Sequence, residues 1–393
     1  MNRASLGPGS PRPAARWALL LGNFMIGCGV MAAQGTLNDI ARSLEVSIAL
    51  AGQLIAIAAA VMCFGAPLLA GWAAAFDRRK LLTFALLWYA TGHALCALMP
   101  SYAALLPVRA VTMLGAALFT PQAAAAAGVM ALPQHRARDI TFVFLGWALA
   151  SVLGVPLTAW VGEVLGWRVA FAGIAACSAA AAAAVFLVLP DGVRPAAMSL
   201  RAWKAVFTDP VLMAMILVTA LHSTGQFTLF AYIAPYYKLE LAASPAQISL
   251  LFMGFGASGL VGSVLLSKSI ERLGIDRSVF ISLALIALTL LIWPLGTSVA
   301  GMLLILMPWG LGCFSSNSAQ QARLNAAAPT FAPALMALNT SAMYLGQAGG
   351  AAGGGWLVAH RGFGLLNWVA AAWVLLAIAL SLSIVRLARK TTA

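Results

Sequence analysis

Few side chains in this chain can do chemistry, and they stand far apart. The 393 residues include only 10 Asp and Glu and 4 His. Arg109 lies inside an otherwise apolar run. A cation at depth in a low-dielectric run costs about 2.5 to 3.5 kcal/mol, so something must offset it. It either faces a polar cavity, where it can meet an anionic or polar molecule, or bonds backbone carbonyls or Gln34 and ties two helices together. Asn23 and Gln34 are about three helical turns apart and share a stripe with Gly27. His222 and Gln226 are one turn apart with Ser223 beside them, and Thr340, Tyr344 and Gln347 form a third stripe with Asn339 adjoining. Such a set of amides, hydroxyls and one cation can hold a small organic molecule, or can hydrogen-bond between helices. His222, the one histidine read well inside an apolar run, has an ordinary pKa of about 6.5 that suits proton exchange. Asp39 is the second proton candidate, because every acid falls near the end of an apolar run: Asp39, Glu45, Glu163 and Glu240 at one set of ends, the other six at the opposite set.

No P-loop, Cys/His metal cluster or Ser/His/Asp set stands in a plausible setting, so no enzyme, cofactor or metal is expected. Cys28, Cys63, Cys96, Cys177 and Cys313 lack ligand spacing and read as packing residues.

The elements that must position these residues follow from composition. Hydrophobic residues make up 62% of the chain and charged residues 8%, far below the roughly 25% charged of a soluble domain. A soluble fold is excluded. Apolar runs long enough to cross a bilayer, about 20 residues each, occur at 17–38, 48–73, 81–99, 103–130, 140–161 and 169–189, then at 211–236, 247–269, 279–296, 299–321, 333–357 and 365–386. The fold class is therefore an all-α membrane protein of twelve transmembrane helices. The net charge of +13 does not signal nucleic acid, because it alternates by loop. Arg3, Arg12, Arg16, Arg78, Arg79, Lys80, Arg136, Arg138, Arg194, Arg201, Lys204, Lys268, Arg272, Arg277, Arg323, Arg386, Arg389 and Lys390 fall on one side, and only Arg42, Arg168, Lys238 and Arg361 on the other. By the positive-inside rule both termini are cytoplasmic in a multi-pass protein of a cell inner membrane. The first run, which follows Arg12 and Arg16, exceeds a signal core and reads as an uncleaved helix. The turn-rich, basic stretch at 191–210 divides the helices into an N-terminal half (1–190) and a C-terminal half (211–393). Two such halves suggest a solute site near the midplane between them.

Five segments carry a family likeness: "GWAAAFDRRKLL" after helix 2, "VRAVTMLGAALFTP" in helix 4, "LGVPLTAWVGEVLGWRVAF" in helix 5, "GQFTLFAYIAPYY" in helix 7 and "ALNTSAMYLGQAGGAAGGG" in helix 11. In this order the chain resembles the major facilitator superfamily, and within it the twelve-helix drug:proton antiporters near the sugar and nucleoside efflux permeases. The resemblance implies a fold in which helices 1, 4, 7 and 10 line a central cavity and helix 11 approaches it. It makes Arg109 the counterpart of the family's helix 4 arginine. It implies a monomeric secondary transporter that exports a drug, sugar or nucleoside by alternating access, with small solute, protons and lipid bilayer as partners. An uncoupled facilitator or importer is the alternative, and a non-transporting receptor a third reading. Gly346, Gly350 and Gly354 on helix 11, and Ala150 and Gly154 before Pro156 on helix 5, let neighbouring helices approach closely. They are expected to form the contacts that rock between states. Asp77 is expected beside the start of helix 11 near Pro333, latching one state with Arg78 as partner.

Overall fold

The computed structural model describes residues 13–73, 76–132, 136–194, 204 and 206–391. Arg3, Arg12, Arg201 and half of the 191–210 connector lie outside them. Among the described residues twelve long helices follow one another: α1 Pro13–Gly35, α2 Ile48–Ala73, α3 Arg78–Leu98, α4 Tyr102–Met130, then α5 in two pieces, Arg136–Leu149 and Val155–Val164, and α6 Trp167–Val188. After the connector come α7 Pro210–Phe230, α8 Pro245–Leu273, α9 Ile275–Ile292, α10 Val299–Ala327, α11 Ala332–Arg361 and α12 Leu366–Thr391. Eleven are apolar enough to be membrane spans by hydropathy as well as length. The exception, α11, has glycine at 346, 349, 350, 353, 354 and 355, which lowers its hydropathy without shortening it.

The helix starts repeat. From 48 to 245, 78 to 275 and 102 to 299 the displacement is 197 each time. The chemistry of the starts repeats with it. Ser47 accepts from the Leu50 N–H ahead of α2, and Ser244 forms a capping box with Gln247 ahead of α8. Ser101 caps α4 through the Ala104 N–H as Ser298 caps α10 through the Gly301 N–H. These hydroxyls satisfy N–H groups that a helix leaves unpaired, and they fix where the chain turns back.

Two breaks interrupt the predicted spans. The first run ends at Gly35, and Asp39 belongs to a separate short helix, Leu37–Ser43, rather than to the end of helix 1. Helix 7 likewise stops at Phe230 and restarts as Ile233–Glu240. In α5 the expected weakening at Pro156 takes the form of a π turn, Ala150–Gly154, in which the Val155 N–H bonds the Ala150 carbonyl. Pro156 has no N–H to give the preceding turn, and the wider turn absorbs the mismatch.

Large apolar side chains such as Leu68, 76% exposed, and Leu187, 77% exposed, face outward where hydrocarbon would cover them. Among the described residues the cysteines are unpaired, with Cys28, Cys63 and Cys96 buried.

Candidate functional site

The polar residues of the spans gather into interhelical sets. In the first six helices, Asn23 of α1 donates to the Val143 carbonyl of α5 at 3.1 Å and accepts from the Thr120 hydroxyl of α4 at 2.9 Å. Trp147 of α5 donates to the same hydroxyl at 3.4 Å. In the last six, Asn339 of α11 accepts from Thr219 of α7 at 2.6 Å and donates to Asn317 of α10 at 3.1 Å. Thr120 and Asn317 are themselves 197 positions apart (from 120 to 317), so both sets use the same register of α4 and α10. Beside the second set, Gln226 donates to His222 Nδ1 at 3.0 Å and accepts from the Trp309 indole of α10 at 2.9 Å. His222 Nε2 is buried with no partner, as is Gln34 Oε1 of α1. Tyr344 is buried and Gln347 half-buried on α11.

Arg109 does not face an open cavity. It is fully buried, donating to the Gly29 and Val30 carbonyls of α1 at 2.8 and 3.0 Å and to His93 Nε2 of α3 at 3.1 Å, with Phe171 of α6 beneath its guanidinium at 5.5 Å. Of the two readings of this arginine the geometry is the carbonyl tie to α1, and Gln34 is not its partner. The sequence reading also missed His93, which is as deeply buried as Arg109 and makes His222 one of two histidines inside spans. A signal existed. His93 and Arg109 lie the same distance either side of position 101, in the tight turn between two antiparallel helices, and residues placed so face one another.

The ends of the helices hold the remaining candidates. Asp39 is committed to Arg42, at 2.7 Å, and to the Trp167 N–H that opens α6, at 2.6 Å. That carboxylate bond raises the pKa of the Arg42 guanidinium above its ordinary value. Asp77 caps α3 through the Arg79 and Lys80 N–H groups and accepts from Gly192 N at 2.6 Å. Arg78 is buried against the Ala73 and Phe76 carbonyls at 2.7 and 2.8 Å, and Arg79 pairs with Asp191 at 2.8 Å. In this conformation the partners of Asp77 are its own helix start and Gly192, beyond the end of α6. Its charge is drawn to the unpaired N–H groups nearest in sequence.

The glycine stripes lie against neighbouring helices, which the sequence left unnamed. A Cβ on Gly346, Gly350 or Gly354 would be driven into the Ala220, Thr224 or Thr228 carbonyl of α7. Gly355 lies against Tyr232, Gln53 and Ala49, which brings α11 to α2. On α5, Gly154 lies against Cys28 of α1, while Ser151 and Val152 meet Gly256 of α8.

Bonds between the first and last six helices collect at one end. Lys238 pairs with Glu163 at 2.5 Å, and Ser249 donates to the Pro156 carbonyl at 3.0 Å. Tyr232 fills the space above Gly52. At the opposite end, Arg79–Asp191, Arg16–Asp139 and Arg323–Asp276 each stay within one set of six. Replacing Glu163 with Gln removes the charge that holds Lys238. The mouth is then expected to open more often, read as faster alkylation of a cysteine placed at Ser249, and an unchanged rate would show the pair to be incidental.

A chain of twelve such helices, with polar sets in matching registers and one end closed, can be compared with known proteins. The sequence profile of the Major Facilitator Superfamily matches residues 19–329 and 215–392. The chain belongs to this superfamily. The Escherichia coli (strain K12) inner membrane transport protein YdhP is 31% identical over 341 residues, 86% of this chain and 87% of that protein. The Bacillus subtilis (strain 168) uncharacterized MFS-type transporter YbcL is 29% identical over 371 residues, 94% and 95% of the two chains. Solved structures share the fold at lower identity. A peptide transporter bound to alafosfalin superimposes with a TM-score of 0.77 at 15% identity, over 98% of this chain and 96% of that one. A D-xylose–proton symporter gives 0.75 at 17%, over 95% and 97%. This major facilitator protein is thus a multi-pass membrane transporter, not an enzyme.

Proposed function

We propose that this transporter exports a small, uncharged organic solute of the sugar, nucleoside or neutral drug class, in exchange for protons, by rocking its first six helices against its last six. The observation that carries the solute class is the sequestration of Arg109. With its guanidinium held by two carbonyls and His93, the groups left in the Asn23–Thr120–Trp147 and Asn339–Thr219–Asn317 sets, and in Gln226 and His222, are amides, hydroxyls, an indole and an imidazole. Such groups suit hydroxyls and ring nitrogens and offer an organic anion no counter-charge. The closed end carries Glu163 and Lys238, on the side the charge alternation assigns to the exterior, so the conformation opens to the cytoplasm. Both termini are then cytoplasmic, and an inner-membrane location follows the relative in Escherichia coli. The efflux direction rests on the resemblance of the helix 4 and helix 5 segments.

In everted vesicles carrying an imposed proton gradient, a transported solute from a panel of chloramphenicol, inosine and isopropyl thiogalactoside is expected to dissipate the gradient. Silence across the panel would sink proton coupling. Gln226→Ala should weaken transport about tenfold, since it strips the Trp309 indole and His222 of their shared partner; an unchanged KM would remove Gln226 from the site.

The absence of any Asp or Glu from mid-helix positions favours a second reading, an uncoupled facilitator. Solute movement unaffected by a proton uncoupler would select it.

A further inference from the structure

The proton-coupled reading leaves open which group carries the proton, and the inference here rests on that reading. The buried acids at the span ends are committed: Asp39 to Arg42 and the Trp167 N–H, Asp139 to Arg16 at 2.6 Å, and Glu163 to Lys238 at 2.5 Å. His222 keeps one ring nitrogen free, but it shares its other only with a neutral amide, so its protonation moves no charged partner.

His93 is placed differently. Its Nδ1 lies 2.9 Å from the Tyr89 carbonyl, which can only accept, so Nδ1 carries the hydrogen. Its Nε2 lies 3.1 Å from Arg109, which can only donate, so Nε2 is a lone pair. The neutral ring is therefore fixed in one tautomer by two partners. A proton on Nε2 would turn an acceptor into a second donor facing a guanidinium, with two positive charges about 3 Å apart in a fully buried site. Protonated His93 and Arg109 docked on α1 exclude one another.

The Gly29 carbonyl also faces the ring but is already taken by Arg109, and the remaining groups at this corner do not relieve that conflict. They are Tyr89 and Cys96 on α3, Thr112 on α4, Cys28 on α1, Phe171 on α6 and Tyr344 on α11. Phenols and thiols ordinarily titrate above neutrality. Arg168, at the head of α6, is turned to Ser43 and the Met99 carbonyl. Among the described residues no carboxylate pairs with Arg109.

We propose that His93 is the proton-exchange residue, taking a proton at Nε2 when Arg109 leaves α1 and giving it up when Arg109 returns. The step breaks an O–H bond of a hydronium ion and forms Nε2–H, then reverses. Its direction follows from the geometry. In the arrangement closed at the Glu163–Lys238 end, Arg109 is docked and His93 is neutral. The proton is bound in the state open at that end and lost on passing to this one. That moves protons inward, the sense needed to drive a solute out. Gly29 is part of the device: a Cβ there would come within 2.7 Å of His93 Nε2 and also strike the Tyr89 hydroxyl, so only glycine lets α1 close over the pair.

The test uses the full chain in lipid nanodiscs, with spin labels at Leu50→Cys and Leu239→Cys across the closed end and Cys177 and Cys313 replaced by Ala. Lowering pH from about 8.5 to about 5.5 should raise the fraction with a long label distance about tenfold in the otherwise wild-type chain. His93→Gln keeps an acceptor for Arg109 but cannot carry the proton, and should hold that fraction constant. A pH response that survives in His93→Gln overturns the proposal. Vesicle measurements separate it from its premise. No solute-evoked proton flux in the wild type defeats coupling itself, whereas wild-type flux that persists in His93→Gln defeats His93 alone. Should His93→Gln fail to fold, histidine-selective nitrogen-15 spectra of the wild-type chain decide, and a His93 Nε2 that stays unprotonated when acid opens the mouth overturns the assignment.

Discussion

Replacing Arg109 with Ala is expected to reduce transport at least about 100-fold while leaving insertion and thermal stability nearly unchanged. Two opposing magnitudes act on this side chain. Burying the cation costs about 2.5 to 3.5 kcal/mol on insertion scales. The three hydrogen bonds to Gly29, Val30 and His93 return about 0.6 to 1.7 kcal/mol each, as interhelical bonds in membranes do. The two nearly cancel, so the arginine contributes little net stability, and its presence has to be explained by what it does between states. Docked, it clamps α1, α3 and α4 together; undocked, it frees His93 Nε2. Arg109→Lys is expected to fail as well, because one ammonium cannot span the carbonyl pair and the imidazole as a planar fork does. Wild-type transport by Arg109→Ala, measured beside an unfolding curve in detergent, would reduce the residue to a structural tie.

The second large effect is expected on the stripe of α11. The Gly346, Gly350 and Gly354 faces meet the Ala220, Thr224 and Thr228 carbonyls, each pair advancing by four residues, so the two helices run in step with backbone against backbone. Gly350→Leu inserts a side chain where a Cβ alone would collide with the Thr224 carbonyl and lie 2.9 Å from the Thr228 nitrogen. Overpacking of this kind costs about 1 to 3 kcal/mol even for small additions. It also pushes α11 away from α7 and so breaks the Thr219–Asn339 bond. Transport is expected to be lost and the melting temperature to fall by several degrees. Gly349 is the control. A Cβ there meets nothing within 4 Å, and Gly349→Ala should behave as wild type. Equal behaviour of Gly349→Ala and Gly350→Leu would remove the helix contact from the account.

These two sites show how differently the chain discloses itself. The stripe on α11 was legible because a small residue every four positions has one physical use in a membrane, the close approach of another helix. Its partner was not. A span is apolar all round, since lipid and neighbouring helices are equally apolar, so the pattern does not say which face meets which helix. The expectation marked helices 5 and 11 as close-packed without naming their neighbours, and the structure sets α11 on α7 and α2, and α5 on α1 and α8. Arg109 was legible as costly. That its partners are Gly29, Val30 and His93 depends on the rotation of three helices about their axes.

The sequence by itself determined the class of the molecule and its membrane-crossing elements, because the cost of placing charge and unpaired backbone in hydrocarbon is large and local, and leaves its mark on composition run by run. It also determined the helix starts, through Ser101, Asp209, Ser244 and Ser298, which cap from their own loops. Only the tertiary structure decided that Asp77 also holds the Gly192 N–H, that Arg109 is docked on the Gly29 and Val30 carbonyls of α1, and that Glu163 and Lys238 close one end. Each of those rests on a contact between residues distant in sequence, worth no more than a few kcal/mol, and is fixed by how the helices pack rather than by what each one contains.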